Sequence, residues 1–244
     1  MSSARRNLPE EVAIALVYNG STAAVMMGTP QDLPDFLIGF ARSEGIVMSP
    51  ADVTDIEVLR HPNGIEVRGR IPDDRASALD ARRRGMTGPV GCGLCGIDSL
   101  EAALREPPRV HKMHAHLVGL AANALTALDT RQVLRRQSRG MHAAGYFDVT
   151  GLRMMREDVG RHNALDKLIG ALGSRDLSGG AVLLTSRISI DLVQKAAQVG
   201  LPAVFSVSSP TRGAADLAER IGMTLVTHRD GGEFILDPTE DVPQ

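Results

Sequence analysis

The last third of the chain alternates short apolar runs with amphipathic segments, and this alternation constrains the fold most strongly. Residues 181–185, 203–207 and 224–226 predict buried strands. Helices are predicted between them at 190–199 and 214–221, each followed by a glycine suited to a helix end. Strands joined by helices in this way form right-handed parallel crossovers. The sequence therefore predicts an α/β domain built on a parallel sheet.

The first 84 residues predict a smaller α+β unit. Strands are predicted at 12–17 and 22–27 around Asn19-Gly20, a dipeptide typical of tight hairpins. A helix at 33–41 is expected to begin after Asp32 as its N-cap, and strands at 53–59 and 65–70 complete a ββαββ order. We therefore predict one domain at 8–84, a second at 85–236 and a loose tail at 237–244.

Charge and apolar content restrict the class of partner. A net charge of −2 over 244 residues argues against a general nucleic-acid or membrane-surface binder. No apolar run reaches the ~18 residues of a membrane span, and no signal peptide is visible. Two cysteines without a secretion signal are typical of a reducing compartment. The expected location is the cytoplasm, with neither nucleic acid nor membrane as partner.

Three loops are predicted at the carboxyl ends of the parallel strands, where open α/β sheets bind ligands. They contain Arg187 with Ser189, Thr211 with Arg212, and the run Thr227-His228-Arg229. Two of them lead into helix N-termini, which favour anions. Ser189 and Thr211 are equally explained as N-caps, but arginine in or beside all three loops favours a phosphorylated or nucleotide ligand.

A polar turn precedes a predicted helix at 165–172, after predicted strands at 143–147 and 152–155. It contains Glu157, Asp158, Gly160, Arg161, His162 and Asn163. A solvated turn with Asn163 as N-cap explains part of this composition, but it does not explain why Arg161 and His162 gather beside Asp158. The pair is therefore a functional candidate. From its spacing, Lys167 is predicted to be an ordinary helix-surface lysine.

The two cysteines, Cys92 and Cys95, form a C-x-x-C bracketed by Gly91, Gly93 and Gly96. Glycine allows tight turns and close approach to a ligand, which indicates a chemical rather than a packing role. Buried structural thiols, a redox pair, a zinc half-site and a sulfur carrier are four readings of this motif. A zinc deaminase would also need H-x-E, which the chain lacks. The C-x-x-C alone does not rank the remaining alternatives.

Residues 156–170 resemble the signature block of the FdhD family, the formate dehydrogenase accessory sulfurtransferases. The block reads Arg-Glu-Asp-Val-Gly-Arg-His-Asn-Ala-Leu-Asp-Lys-Leu-Ile-Gly. The family also carries Cys-Gly-x-Cys-Gly, which is matched at 92–96. Further similarity lies at Thr29-Pro30 and at 193–197, 200–202, 209–211 and 217–220. The resemblance extends over nearly the whole chain.

The resemblance implies an activity. Proteins of this family accept persulfide sulfur from a cysteine desulfurase and transfer it to the molybdenum bis-guanine dinucleotide cofactor, which activates formate dehydrogenase. It implies Cys92 as the persulfide cysteine, Cys95 as its partner and a homodimer, and we expect no permanently bound metal. The implied fold class is α/β, an α+β N-terminal unit followed by a cytidine-deaminase-like three-layer α/β domain. The alternative is a chaperone that holds the cofactor without moving sulfur.

The resemblance also places a cofactor-contacting segment near the end of the chain. It falls on His228, Arg229, Asp230, Gly231, Gly232 and Glu233. Together with residues at the predicted strand ends and in the signature block, the candidate cofactor-binding set gains His142, Arg161, His162, Asn163, Arg187, Ser189 and Thr211. The chain departs from the family pattern at Ser138-Arg139-Gly140, at Ser186 and in the two acids of the last segment, which would repel phosphate.

Overall fold

The computed structural model describes residues 8–84, 106–229 and 232–236, and it contains two sheets. The first has the strand order β2-β1-β4-β3. Its elements are β1 (Val12–Tyr18), β2 (Ser21–Gly28), α1 (Leu33–Ser43), β3 (Thr54–His61), β4 (Gly64–Arg70) and α2 (Asp73–Arg84). A short 3₁₀ turn, Pro50–Asp52, precedes β3. The predicted ββαββ order is present, with α2 added after it.

Local sequence explains how this first unit folds. Asn19 and Gly20 adopt φ values of 50° and 80°, the left-handed conformation that a two-residue hairpin requires. Helix α1 then covers the sheet and buries Phe36 and Leu37 against it. Asp32 occupies the predicted N-cap position, but the prediction that its side chain caps α1 is wrong. Asp32 has a φ of 53° and its side chain makes no capping hydrogen bond.

The second sheet has six strands in the order β10-β9-β8-β7-β5-β6. Its strands are β5 (His142–Asp148), β6 (Gly151–Asp158), β7 (Ala181–Leu184), β8 (Ala203–Ser206), β9 (Thr224–Arg229) and β10 (Gly232–Leu236). Its helices are α3 (His116–Arg131), α4 (Val133–Gln137), α5 (Arg161–Leu172), α6 (Ile190–Gln198) and α7 (Arg212–Ile221). The predicted parallel arrangement of β7, β8 and β9 is confirmed.

Two strand boundaries differ from the prediction. Strand β6 continues to Asp158, so the first residues of the polar turn belong to the sheet. Strand β10 is not predicted, because the polar and glycine-rich residues before Phe234 indicate a loop. It pairs antiparallel with β9, with Glu233 opposite His228. Residues 227–229 consequently lie inside β9 instead of forming a loop after it.

Helices cover both faces of the six-stranded sheet. One face buries Leu165, Leu192 and Leu217 from α5, α6 and α7. The other face packs against α3, where Phe147 and Phe205 meet edge to face at 5.0 Å. Each fully buried side chain of this size contributes ~1.5–3 kcal/mol. The three-layer arrangement confirms the predicted α/β class. Across the described ranges, no helix is both long and apolar enough to cross a bilayer.

The two sheets are joined by a close crossing of α1 and α5. At Gly39 and at Gly170, an added Cβ would overlap backbone of the opposite helix, so only glycine permits this approach. The Arg42 guanidinium donates to the carbonyls of Ile169, at 3.3 Å, and Gly173, at 2.8 Å. It thereby satisfies carbonyls at the end of α5. The N-terminal unit is thus packed directly against the helix that carries the polar turn.

Candidate functional site

Candidate residues from separate parts of the chain meet at one edge of the six-stranded sheet. Strands β6, β7, β8 and β9 point the same way, because β5 runs antiparallel to both β6 and β7. Their carboxyl ends therefore share an edge with the first residue of β5, His142. Two of the loops are tied together by the Thr211 N–H, which donates to the Ile188 carbonyl at 2.9 Å. We name this edge the strand-end site, defined by His142, Arg161, His162, Arg187, Ser189, Thr211 and Arg212.

The strand-end site is rich in cationic groups. Arg161 is half-buried and Arg187 and Arg212 are exposed. Among the residues that the structure describes, none of the three has a carboxylate within 4.0 Å. The pKa of His142 is lowered by its burial and then by the positive charges of Arg161 and His162. The same positive charges that favour the neutral form of His142 also favour the binding of an anionic ligand.

His162 is held by a carboxylate from a neighbouring helix. Its Nε2 lies against Oδ2 of Asp191 in the first turn of α6, and only 8% of His162 is exposed. Burial raises the pKa of Asp191, but the hydrogen bond and charge of His162, together with hydrogen bonds from Ser189 and a backbone N–H, lower that pKa to about 2. Asp191 is therefore ionised at neutral pH and fixes the imidazole between the N-termini of α5 and α6.

The two hydroxyls that were explained equally well as N-caps behave differently. Thr211 Oγ1 accepts a hydrogen bond from the Ala214 N–H at 3.3 Å, so it caps α7. Ser189 occupies the N-cap position of α6, but its side chain makes no capping hydrogen bond. It contributes instead to the low pKa of Asp191. The first amides of α6 are thus not occupied by Ser189.

Asp158, the last residue of β6, is completely buried and surrounded by donors. Its Oδ1 accepts from the Gly160 N–H at 2.7 Å and from Asn163 Nδ2 at 2.9 Å. Its Oδ2 accepts from the Thr29 N–H at 3.0 Å and from Lys167 Nζ at 2.5 Å. A carboxylate has about four lone-pair sites, and all are used. We name Asp158, Thr29, Gly160, Asn163 and Lys167 the Asp158 network.

The prediction that Asn163 caps the following helix is wrong. Helix α5 begins at Arg161, with Gly160 in the N-cap position. The Asn163 amide donates to the Met27 carbonyl at 2.9 Å as well as to Asp158. Asn163 therefore connects α5 to β2 and does not face the strand-end site.

The prediction that Lys167 lies on the helix surface is also wrong. Lys167 is 0% exposed, and its Nζ lies 5.6 Å from the centre of the Phe36 ring. Helix α5 is buried on nearly all sides, so its charged side chains need partners inside the protein. The sequence carries one signal of this, because residues 161–172 contain no continuous polar face.

Other charged residues of the signature block hold neighbouring elements in place. Arg156 donates to Asp35 Oδ2 at 2.7 and 2.9 Å, which joins β6 to the start of α1. Glu157 accepts the N–H groups of Leu134 and Arg135 at 2.8 and 2.9 Å and so caps α4. Both residues therefore have structural partners outside the strand-end site.

A second buried network lies further along α5. Asp166 accepts from Lys195 Nζ at 2.9 Å and from Ser43 Oγ at 2.6 Å. Lys195 also lies 5.2 Å from the centre of the Phe40 ring. We name Asp166, Lys195 and Ser43 the Asp166 network. It joins α1, α5 and α6, and accounts for the lysine in the family-like run at 193–197.

Cavities lie beside α4, next to a basic surface. Two of them, of about 450 and 680 Å³, share Arg135, Arg136 and Arg139 in their walls. The positive charge of Arg135 also contributes to the lowered pKa of His142, so this basic surface acts on one residue of the strand-end site. A larger cavity of about 740 Å³ lies on the N-terminal sheet beside Asp55 and Arg70, on other elements.

Several predicted site residues lie outside the described residues. These are Cys92, Cys95, Asp230 and Gly231. For His228, Arg229, Gly232 and Glu233 the structure describes the backbone, which forms the β9–β10 pairing at the strand-end edge. Sequence reasoning missed Thr29 and Asp191, since neither stands near the other candidates along the chain.

Comparison with known proteins gives a consistent family assignment. The model of the FdhD/NarQ family matches residues 9–236. A "Sulfur carrier protein FdhD" from Agrobacterium fabrum is 45% identical over 237 residues, which cover 96% of this chain and 88% of that protein. A protein of the same name from Xanthomonas euvesicatoria is 47% identical over 219 residues, with coverages of 88% and 78%.

A solved structure supports the fold. The crystal structure of a protein from Desulfotalea psychrophila, described as a formate dehydrogenase accessory protein, superposes with a TM-score of 0.72. The match covers 94% of this chain and 88% of that one at 24% identity. At this identity the similarity concerns the architecture.

Proposed function

The chain belongs to the FdhD/NarQ family, and from this premise we propose that it is a sulfur carrier. In the detailed proposal, Cys92 accepts sulfur from a cysteine desulfurase and delivers it to the molybdenum bis-guanine dinucleotide cofactor of a formate dehydrogenase. Relatives of 45% and 47% identity named as sulfur carriers support the first part. The proposed compartment is the cytoplasm, and the proposed assembly is a homodimer.

The cofactor part rests on three arginines at one sheet edge that have no carboxylate partner among the described residues. Arg161, Arg187 and Arg212 converge there with His142 and His162, beside the N-termini of three helices. Guanidinium groups and helix amides are the donors that phosphate groups prefer. A dinucleotide cofactor carries such phosphates, and the strand-end site supplies groups to hold them.

The loading step is a thiol exchange that needs no oxidant. The Cys92 thiolate attacks the terminal sulfur of the desulfurase persulfide, and a new S–S bond forms at Cys92. The bond between that sulfur and the desulfurase cysteine breaks, and this cysteine leaves as a thiolate. Cys92 then holds the persulfide, and no net oxidation has occurred.

Release of the sulfur to the cofactor requires two electrons. Attack of the Cys95 thiolate on Cys92 Sγ forms a Cys92–Cys95 disulfide and expels the terminal sulfur as hydrosulfide. The two thiols are oxidised and the transferred sulfur is reduced to the sulfide level, at which it binds the metal of the substrate cofactor. A cellular dithiol reductant then reopens the disulfide.

The proposal is tested by loading the full chain with a cysteine desulfurase and cysteine, followed by intact mass measurement. The wild type should gain the mass of one sulfur atom. Cys92→Ala should abolish this gain, whereas Cys95→Ala should load normally and fail at release. Unchanged loading of Cys92→Ala would refute the role of Cys92. Full maturation of formate dehydrogenase by Cys92→Ser would favour the alternative, a chaperone that binds the cofactor without moving sulfur.

A further inference from the structure

Thr29, the residue after β2, makes three hydrogen bonds to the end of β6, the following turn and α5. Its N–H donates to Asp158 Oδ2 at 3.0 Å, and its carbonyl accepts from Lys167 Nζ at 2.8 Å. Its Oγ1 accepts from the Val159 N–H at 3.2 Å. Thr29 is only 4% exposed. The Thr29 carbonyl also accepts from the Gln31 N–H at 2.8 Å, whereas its N–H and Oγ1 bond the end of β6 and the turn before α5.

These contacts determine the backbone path into α5. The N–H groups of Val159 and Gly160 are fixed by Thr29 and Asp158, so both peptide units that flank Val159 are held in place. The next two residues are Arg161 and His162, whose side chains belong to the strand-end site. A displacement of the Val159–Gly160 peptide moves the first turn of α5, and with it the contact between His162 and Asp191.

We propose that Thr29 is a positioning residue for Arg161 and His162, so that the N-terminal unit helps to shape the strand-end site of the α/β domain. This inference rests on the proposed function where it uses ligand binding as its test. It gives a residue of the N-terminal unit a role in shaping the strand-end site. The role is indirect, because Thr29 acts through the backbone of Val159 and Gly160.

The Asp166 network provides a matched comparison within the same helix packing. Ser43 is 1% exposed, and its Oγ hydrogen-bonds to Asp166 at 2.6 Å and to Lys195 at 3.0 Å. Like Thr29, Ser43 links the N-terminal unit to α5 through a buried hydroxyl. Ser43 lies beside Asp166. Asp166 is five residues beyond Arg161, which places it ~7 Å further along α5. Loss of either hydroxyl should weaken folding, but only Thr29 adjoins the polar turn.

The test compares Thr29→Val, Thr29→Ser and Ser43→Ala in the full chain. Valine keeps the shape of threonine and removes its hydroxyl, which is the acceptor for the Val159 N–H, whereas serine retains a hydroxyl. Binding of GDP, a soluble fragment that carries guanine and two phosphates, is measured by calorimetry well below the unfolding temperature. Thr29→Val should weaken GDP binding by about 3- to 10-fold, as expected for one lost hydrogen bond. Thr29→Ser should restore binding, and Ser43→Ala should leave it unchanged.

A second readout follows the His162 imidazole by NMR and does not depend on GDP. Thr29→Val should shift the His162 ring resonances, Thr29→Ser should return them, and Ser43→Ala should not move them. If Thr29→Val leaves both GDP affinity and the His162 resonances as in the wild type, the positioning role is wrong. If the wild type fails to bind GDP, the nucleotide part of the proposed function fails, and the His162 resonances alone decide the role of Thr29.

Discussion

Replacement of Lys167 by methionine gives a direct test of the Asp158 network. Methionine has nearly the length of lysine and lacks Nζ, so Lys167→Met removes the bonds of 2.5 Å to Asp158 and 2.8 Å to the Thr29 carbonyl. Asp158 would stay in a site of 0% exposure with three N–H donors and no counter-charge. Removal of one partner from a buried ion pair costs ~3–5 kcal/mol.

The expected loss of folding free energy lies near the lower end of that range, at about 3 kcal/mol, because three donors remain on Asp158. Typical domains are stable by ~5–15 kcal/mol, so a loss of this size is readily measured. Urea unfolding followed by circular dichroism would report it as a lower transition midpoint with an unchanged slope.

Arg68→Met is the matched control for this experiment. The Arg68–Glu66 pair is as short, at 2.6 Å, but its side chains are 47% and 23% exposed. Exposed pairs contribute little to stability, so Arg68→Met should leave the midpoint within its measurement error. If Lys167→Met has an equally small effect, Lys167 lies on the surface as its spacing suggests, and the buried network is refuted.

Two further predictions concern titration at the strand-end site. The pKa of Asp191 in the folded chain, about 2 against an ordinary 3.8, lies below that of the unfolded chain. Its stabilisation of ~2 kcal/mol is therefore present above pH ~4 and lost as pH falls to ~2, about half of it by pH ~3. The urea-measured stability difference between wild type and Asp191→Asn should shrink accordingly, and a constant difference would contradict the pairing with His162. The lowered pKa of His142 should rise when GDP phosphates offset the charges of Arg161 and His162; an NMR titration with no rise in the presence of saturating GDP would argue against anion binding there.

The fold could be predicted from the sequence where the residue pattern of a segment matches the surroundings of that segment in the folded protein. Strands β7, β8 and β9 are short apolar runs that lie in the interior of the sheet, so their composition indicates their burial directly. Asn19-Gly20 fixes its hairpin by backbone preference alone. Strand β10 was missed, because its place depends on pairing with β9 and not on its own apolar pattern.

The site was predictable only in part, for a physical reason. Arg187 and Thr211 could be placed because parallel strands bring their ends together whatever the side chains are. The partners of Asp158 and His162 could not be found, because Thr29 lies 129 residues away from Asp158 and Asp191 belongs to another helix. Spacing alone places Lys167 on the helix surface, because lysine is rarely buried. The helix is an exception, since it is buried on nearly all sides.

The structure changes how the signature block at 156–170 is understood. Most of its charged residues bind partners that hold the two sheets, α4 and α6 in place, as Arg156, Glu157 and Asp166 do. Arg161 and His162 remain as the members that face the strand-end site. Substitutions in the block should therefore fall into two groups, those that lower stability and those that lower ligand binding in a folded protein.

We propose that sulfur held on this chain passes to a guanine dinucleotide cofactor. The most direct measurement loads the full chain with radioactive sulfur from a desulfurase, removes the desulfurase, and adds formate dehydrogenase that contains the unsulfurated cofactor. The label recovered with the extracted cofactor is then counted for the wild type, Cys92→Ala and Arg187→Ala. We expect transfer by the wild type, none by Cys92→Ala, and normal loading with reduced transfer by Arg187→Ala. Label that loads on the wild type but never reaches the cofactor would contradict the proposal.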